Sequence, residues 1–261
     1  MTTPYISQTQ YGKNEEFALQ VSRGQVQGHR NVTVFGFNAD VDTTQVTVWP
    51  LPSLSTYAAT ALQMKVSSSS ANDTSAGTGA RTVVIQGLDG SYNEVSETVT
   101  LAGQTAVLTT TLFLRVNYMY VATAGSSNSA EGDIYIGTGT VTAGVPATPY
   151  NIIKYDYNNS TSGFFTIPAG YTAYLSQGLF STGQASGSTQ VQGRLLTIGT
   201  DNIHHTAALT TLNNGVADYA FEYPLAIPEK TTVEATAIGS ANNNACSSMF
   251  ILLLVKNNTG Y

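Results

Sequence analysis

The side chains that come nearest to a metal site are His204 and His205, which follow Asp201 by three and four residues. Successive residues of a strand point to opposite faces, so two adjacent histidines bind one ion only where the chain turns between them. Asp40 and Asp42 offer two oxygen ligands for calcium, but the glycine and glutamate of a calcium-binding loop are missing around them. We therefore expect hydrogen-bonded loop histidines and turn aspartates, with no metal ion and no cofactor.

Catalytic motifs are also missing from the sequence. The stretch from Ala76 to Arg81 contains glycines but lacks the spacing and the Lys and Ser or Thr of a phosphate-binding loop, and a strand pattern follows it. Glu94 and Glu97 are close together and fall on opposite faces of a strand, unlike the carboxyl pair of a glycosidase. Neither Gly-x-Ser-x-Gly nor His-Glu-x-x-His occurs. We expect a protein that is not an enzyme.

Aromatic residues crowd one part of the chain: Tyr155, Tyr157, Phe164, Phe165, Tyr171 and Tyr174. One interpretation is that half of them fill a core and the rest flank it. The alternative is a sugar- or protein-binding surface, because exposed aromatic rings stack on saccharides and anchor interfaces. The candidate interface residues over the whole chain are Tyr5, Tyr11, Phe17, Tyr155, Tyr157, Tyr171 and Tyr174.

The elements that would position these residues are short strands, and the stretch from Ala80 to Leu101 shows their pattern best. Two β-branched runs, at 82–85 and 95–101, flank the turn-rich segment 87–93. This arrangement predicts a β-hairpin with a loop longer than two residues. In the second run apolar and hydroxyl residues alternate imperfectly, so one face can be buried while the other stays in water.

The same pattern recurs along the chain about every ten residues. Strands are predicted at 17–21, 32–37, 45–49, 62–66, 82–85, 95–101, 106–110, 112–121, 133–136, 151–155, 162–167, 172–180, 189–198, 205–209, 219–223, 231–238 and 248–256. The only helical possibility, at 54–64, is diluted by Ser, Thr and Tyr. Short strands separated by turn residues predict an all-β protein built from sandwiches or barrels.

The domain organisation is predicted from the breaks in this rhythm. Residues 1–16 are polar and indicate an extended N-terminal arm. The segment 137–146 is rich in glycine and ends in Pro146, which places a boundary near residue 147. We expect an N-terminal β-sandwich domain at 17–146 and a C-terminal, jelly-roll-like β domain at 147–261, because eight strands fall in the second region.

The composition of the chain argues for some classes of binding partner and against others. Charged residues make up 10% of the chain, against about 25% in an average soluble protein. The net charge of −6 and the absence of a basic patch argue against nucleic-acid binding. No apolar run is long enough to span a membrane, and the N-terminus shows no secretory signal, so we expect synthesis in a host cytoplasm. The lone Cys246 is expected to be a small buried side chain.

Several segments resemble virion proteins of tailed bacteriophages from marine or freshwater hosts, cyanophage-like proteins among them. They are Ser69–Asp89, Asn93–Leu101, Tyr135-Ile-Gly-Thr-Gly139, Ile167-Pro-Ala-Gly170 and Ile227-Pro-Glu-Lys230. The resemblance implies an all-β decoration, cement or accessory protein on a capsid, as a homo-oligomer with a trimer favoured. Its implied partner is the major capsid protein. It assigns no functional residues.

Two functions remain open at this point. The first is a structural virion protein that binds the outer surface of a phage capsid and stabilises or decorates it, with residues 1–16 lying across a neighbouring subunit. The alternative is a tail- or head-fibre-associated adhesin whose C-terminal domain binds host surface glycans. Both uses draw on the same β modules, so the sequence does not separate capsid from tail.

Overall fold

The structure is a computed structural model that describes residues 15–184 and 189–257. These residues form one short helix and a long series of strands: α1 (Phe17–Ser22), β1 (His29–Val41), β2 (Val46–Thr47), β3 (Leu62–Ser68), β4 (Ala80–Leu88), β5 (Glu94–Thr100), β6 (Val107–Phe113), β7 (Arg115–Ala124), β8 (Ile134–Thr142), β9 (Val145–Ile153), β10 (Phe164–Thr166), β11 (Tyr171–Gln184), β12 (Val191–Ile198), β13 (His204–Leu212), β14 (Gly215–Ile227), β15 (Thr232–Gly239) and β16 (Asn244–Lys256). The all-β class predicted from the sequence is confirmed.

The first pair of sheets combines the start of the chain with its C-terminal part. Sheet I has the strand order β1-β16-β11-β14, and sheet II has the order β10-β15-β12-β13 with β2 added to β15. Buried residues alternate along β16, where Cys246, Phe250, Leu252 and Leu254 lie in a core that residues of sheet II share. This alternation is what a strand with one face in a core requires. The expectation that Cys246 is buried is confirmed.

The second pair of sheets comes from the middle of the chain. Sheet III has the order β6-β3-β8-β9, and sheet IV has the order β5-β4-β7. All strand pairs in both sheets are antiparallel. Side chains from both sheets, among them Met64, Ile85, Phe113 and Ile136, form a second buried core. Whether either sheet pair is a sandwich or a jelly roll in the strict sense stays a prediction.

A small aromatic cluster joins the two sheet pairs. Trp49, Tyr135, Ile152 and Phe164 are buried together, with Tyr57 packed against them. The rings of Trp49 and Tyr57 meet the ring of Phe164 edge to face, at centroid distances of 6.1 Å and 5.9 Å. Such contacts fix the two sheet pairs against each other, because aromatic rings bury large areas and prefer defined geometries.

The β-hairpin predicted in the stretch from Ala80 to Leu101 is present. β4 and β5 pair in register from Thr82 opposite Thr100 to Leu88 opposite Glu94. In the turn, the carboxylate of Asp89 accepts the backbone N–H of Ser91 and of Asn93, at 2.8 Å and 2.9 Å. Such Asx-type bonds are the local chemistry that makes aspartate a turn residue.

Two local predictions are wrong. The segment 17–21 is helix α1 and not a strand. Its aromatic and β-branched residues favour strand by composition, but the segment is too short to show a helical period. The helical possibility at 54–64 is not realised either, because the chain is irregular up to β3, which starts at Leu62.

The domain division expected from the sequence differs from the strand pairing. Residues of β1 and β2, assigned to the first domain, pair with β16 and β15 of the second. The expected boundary near residue 147 falls inside β9, which pairs with β8. The glycine-rich stretch before it holds a tight hairpin turn, where Ala143 and Gly144 have φ values of 48° and 81°. Two positive φ values are what a type I′ turn requires.

Candidate functional site

The residues first considered for metal binding lie on the surface. His204 and His205 begin β13 and are exposed, and the Asp201 carboxylate accepts the N–H of Ile203 at 3.1 Å. Asp42 caps a distant turn by accepting the N–H of Asn243 at 3.0 Å. Within residues 15–184 and 189–257, no group of three or more His, Cys, Asp and Glu side chains could hold a metal ion.

The two glutamates of β5 have separate structural partners. Glu94 forms an ion pair with Arg30 of β1. Glu97 accepts the backbone N–H groups of Thr110 and Thr111 at 2.7–3.0 Å. Desolvation raises the pKa of Glu97, but these backbone bonds favour the charged form and lower the pKa overall.

The seven candidate interface residues are scattered. Tyr5 and Tyr11 lie outside the described residues. Phe17 is half-exposed on α1, with its ring edge to face on His29. Tyr155 and Tyr157 are exposed in the loop after β9. Tyr171 and Tyr174 are half-buried on β11, and the Arg30 guanidinium lies 5.2 Å from the Tyr171 ring centroid. The structure does not bring them together as one surface, and their role as an interface stays a prediction.

A buried carboxylate that sequence reasoning missed lies where the two sheet pairs meet. Glu234 of β15 is 2% exposed, and its carboxylate accepts hydrogen bonds from the hydroxyl groups of Thr47, Ser55 and Tyr57. Burial raises the pKa of Glu234, and the hydroxyl donors lower it only in part. Burial, with the charge of Glu234 next, raises the pKa of Tyr57 well above its usual value. The arrangement holds the 46–57 segment on sheet II.

A cleft of about 640 Å³ lies between the first and second sheet pairs. One wall is β1 from Arg30 to Phe35, and the other comes from sheet IV, including Gln86, Ser96 and Tyr118. Phe164 and Phe165 of β10 also line it. Its volume is within the range of roughly 300–1,000 Å³ that is typical of ligand pockets.

The cleft is close to neutral. Its two charged residues, Arg30 and Glu94, pair with each other across the cleft from β1 to β5. The remaining polar side chains are amides and hydroxyl groups, while Phe35 is 52% exposed and Tyr118 is 38% exposed. These features suit an uncharged, partly polar ligand or an extended peptide better than an ionic substrate.

A second exposed surface, which we call the β13–β14 edge, runs along the outer strands of sheets I and II. Its large apolar side chains are exposed: Ile203, Leu209, Val216, Tyr223 and Leu225. Pairing with β11 skips from Leu225 to Ala220, so residues 221–224 bulge out of sheet I. Tyr223 lies in this bulge and is 83% exposed. A bulge on an edge strand re-aims side chains in this way.

The β13–β14 edge could in part have been found from the sequence. Pro224 in a strand pattern indicates an edge strand or a bulge, and the apolar residues around it are visible in the chain. The cleft could not have been found, because its walls come from β1 and from sheet IV, which are far apart in sequence.

No protein-family model matches the chain, and no curated protein matches it. Solved structures with some similarity come from infectious bursal disease virus. The crystal structure of its VP2 subviral particle is 11% identical at a TM-score of 0.24, covering 85% of this chain and 59% of that chain. The structure of its Gx strain is 11% identical at a TM-score of 0.24, covering 89% and 73%.

The chain thus spans 59% of the length of the VP2 chain in the subviral particle. TM-scores of this size do not define a common fold. The strand pairing of this protein is therefore the evidence for its fold.

Proposed function

We propose that this chain is a structural protein of a virus particle, which binds the outer surface of a phage capsid and stabilises or decorates it. The observation that carries the proposal is the β13–β14 edge, with Tyr223 projecting from its bulge. Large apolar side chains on long edge strands are a liability in an isolated monomer, and interfaces are where proteins use them. Aromatic anchors of this kind supply much of the binding energy at interfaces.

The composition supports an assembly role. Few charged side chains have to lose water when such a surface is covered, and burying an unpaired charge is the costliest event at an interface. The resemblance of several segments to phage virion proteins supports the same conclusion. In this proposal the partners are the major capsid protein and further copies of this chain, with a trimer as the favoured homo-oligomer.

The test compares two tyrosines that are both exposed. Tyr223→Ser removes the ring at the bulge, and Tyr155→Ser removes a ring from the loop after β9. Binding of each purified variant is measured by co-sedimentation with particles that lack this chain. We expect Tyr223→Ser to weaken binding by about 30-fold or more, the loss of a 2 kcal/mol anchor, and Tyr155→Ser to change it little. The reverse order would overturn the role of the β13–β14 edge.

An averaged map of the intact particle tests the location. Many copies at regular positions on the shell are expected. A few copies at one vertex or on the tail would overturn the capsid proposal.

The second candidate function is a tail- or head-fibre-associated adhesin that binds host glycans. The observation that favours it is the pair of exposed tyrosines in the loop after β9, Tyr155 and Tyr157, because exposed rings stack on sugar faces. Binding of the purified full chain to host cells tests it. Binding that Tyr155→Ser abolishes would support the adhesin, and no binding at micromolar concentration would contradict it.

A further inference from the structure

The wall of the cleft on sheet IV carries a row of polar side chains. Gln86 of β4 lies opposite Ser96 of β5 and opposite Tyr118 of β7, so the three side chains stand side by side on one face of the sheet. All three are exposed and line the cleft. Neighbouring strands are about 4.8 Å apart, so the row places a hydroxyl, an amide and a phenol group at about that interval.

The facing wall is the outer side of β1. Exposed and buried side chains alternate along this strand, and the exposed ones that line the cleft are Asn31, Thr33 and Phe35. The two walls are therefore the outward faces of two different sheet pairs. The ion pair of Arg30 with Glu94 connects them across the cleft.

Polar groups on both walls are available to a ligand. Polar side chains of the two walls that make no hydrogen bond within the described part of the chain are Thr33, Gln86, Ser96 and Tyr118. By contrast, the amide of Asn117, which also lines the cleft, is occupied: it donates to the carbonyl and accepts the N–H of Thr166, both at 2.9 Å. Hydroxyl and amide groups each donate and accept hydrogen bonds, which is also what the hydroxyl groups of a sugar do.

We propose that this cleft binds a neutral oligosaccharide. The free hydroxyl and amide groups of both walls exchange bound water for sugar hydroxyl groups. The exposed rings of Phe35 and Tyr118 offer flat apolar faces on which sugar rings stack. The ring of Tyr120 lies 6.0 Å from the ring of Tyr118, centroid to centroid, and restrains it.

Charge and shape favour this ligand over the alternatives. A charged ligand would be left without a partner in the cleft, because Arg30 and Glu94 already pair with each other. An added peptide strand takes its specificity from pockets for alternate side chains, and the wall opposite β1 presents the polar row instead. The stretch from Arg30 to Phe35 is about 17 Å long at roughly 3.4 Å per residue, so several linked sugar units fit along it.

The cleft is a different site from the one considered for the adhesin. Neither Tyr155 nor Tyr157 lines it. The inference also does not depend on the β13–β14 edge, so it holds or fails independently of the proposed virion role.

The test is titration of the full chain with neutral trisaccharides, measured by calorimetry and by NMR spectra of the isotope-labelled protein. The probes are cellotriose, maltotriose and triacetylchitotriose. Trigalacturonic acid is the charged comparison, and an end-blocked, uncharged pentapeptide of Thr, Val and Ser is the peptide comparison. We expect at least one neutral trisaccharide to bind with a Kd of about 1 mM or lower, and to shift the amide signals of Thr33, Gln86 and Ser96.

Variants locate the binding. Tyr118→Ala removes a ring and a hydroxyl group, and Gln86→Ala removes the middle of the polar row. Each should weaken binding by about tenfold, the loss of one good contact. Thr98→Ala is the matched control and should leave the affinity unchanged, because Thr98 is exposed on the same face of β5 as Ser96 but does not line the cleft.

Four results would each overturn the proposal. The first is that none of the neutral trisaccharides binds at about 10 mM. The second is tighter binding of trigalacturonic acid or of the peptide. The third is that Thr98→Ala weakens binding as much as Gln86→Ala. The fourth is that Tyr155→Ala abolishes binding while Tyr118→Ala does not, because the sugar would then bind at the loop after β9.

Discussion

The buried carboxylate of Glu234 gives the sharpest prediction about stability. In Glu234→Ala, the hydroxyl groups of Thr47, Ser55 and Tyr57 lose their acceptor. An unsatisfied buried donor costs about 1 kcal/mol or more, and the removed side chain leaves a cavity. Together these terms predict that the free energy of unfolding falls by about 3–5 kcal/mol.

Glu234→Gln is the informative partner of this variant. Its amide oxygen can accept the hydroxyl groups of Thr47 and Ser55, and its NH₂ group can donate to Tyr57 once that hydroxyl turns. The variant also removes a charge that is disfavoured by burial. Replacing a buried charge by a neutral group of the same shape is often neutral or stabilising. We expect its stability at pH 7 to lie within about 1 kcal/mol of the unaltered protein, or above it.

The sign of the pH dependence follows from the raised pKa of Glu234. The native state prefers the protonated carboxyl, so its contribution to stability is fully present below the ordinary value of 4.5 and is lost as the pH rises through the native pKa. Tyr57 stays protonated over this range because its own pKa is raised, while the nearby His204 charge favours the carboxylate. Glu234→Gln should therefore gain stability relative to the unaltered protein between pH 5 and pH 8.

Urea unfolding at pH 5 and pH 8 measures these differences. Glu222→Gln is the matched control, because Glu222 is exposed on β14 and should change stability by less than about 0.5 kcal/mol. The reasoning is refuted if Glu234→Ala costs less than about 1 kcal/mol, or if Glu234→Gln has the same pH dependence as the unaltered chain.

Three further predictions concern other buried or strained positions. Asp73 is fully buried and accepts four hydrogen bonds at 2.5–3.0 Å, so Asp73→Ala should lower the free energy of unfolding by about 3–5 kcal/mol in urea titrations; a loss below 1 kcal/mol would contradict this. Gly144 has a φ of 81°, and a Cβ added there would lie 1.8 Å from the carbonyl oxygen of Ser68. Gly144→Ala should therefore lower the free energy of unfolding by at least about 3 kcal/mol. Gly170→Ala, where the φ is 78° but the space is open, should lower it by about 1 kcal/mol. Burial raises the pKa of Cys246 to about 12, so a thiol reagent at pH 8 should label it only after unfolding, and rapid labelling of the folded chain would refute its burial.

Local features of the fold were predictable because they depend on neighbouring residues. The hairpin of β4 and β5 follows from two β-branched runs and a turn in which Asp89 bonds to Ser91 and Asn93. The burial of Cys246 follows from its place before an apolar run. By contrast, the glycine-rich stretch before residue 147 is compatible with a linker or a tight turn. Only the pairing of β8 with β9 shows that it is a turn.

The candidate site was less predictable than the fold. Glu234 lies in a strand where polar and apolar residues alternate in the sequence, a pattern that is compatible with a solvent-exposed carboxylate. The Glu234 side chain is buried because the segment around Thr47 and Tyr57 folds over sheet II. The cleft exists because β1 joins strands that are more than 200 residues away in the chain, as in the pairing of His29 with Val255. Neither the burial of Glu234 nor the pairing of β1 with β16 produces a recognisable pattern in the neighbouring sequence.

The sequence by itself determined the all-β class, the spacing of the strands and the neutral, hydroxyl-rich composition, because turn chemistry and side-chain alternation act over a few residues. Tertiary structure alone decided which strands are neighbours, which edges stay open and where Tyr223 projects from its bulge. Strand pairing is set by long-range packing of buried faces, and many pairings satisfy the same alternation. The cleft beside β1 and the β13–β14 edge are therefore properties of the folded chain that its residues, taken in order, do not display.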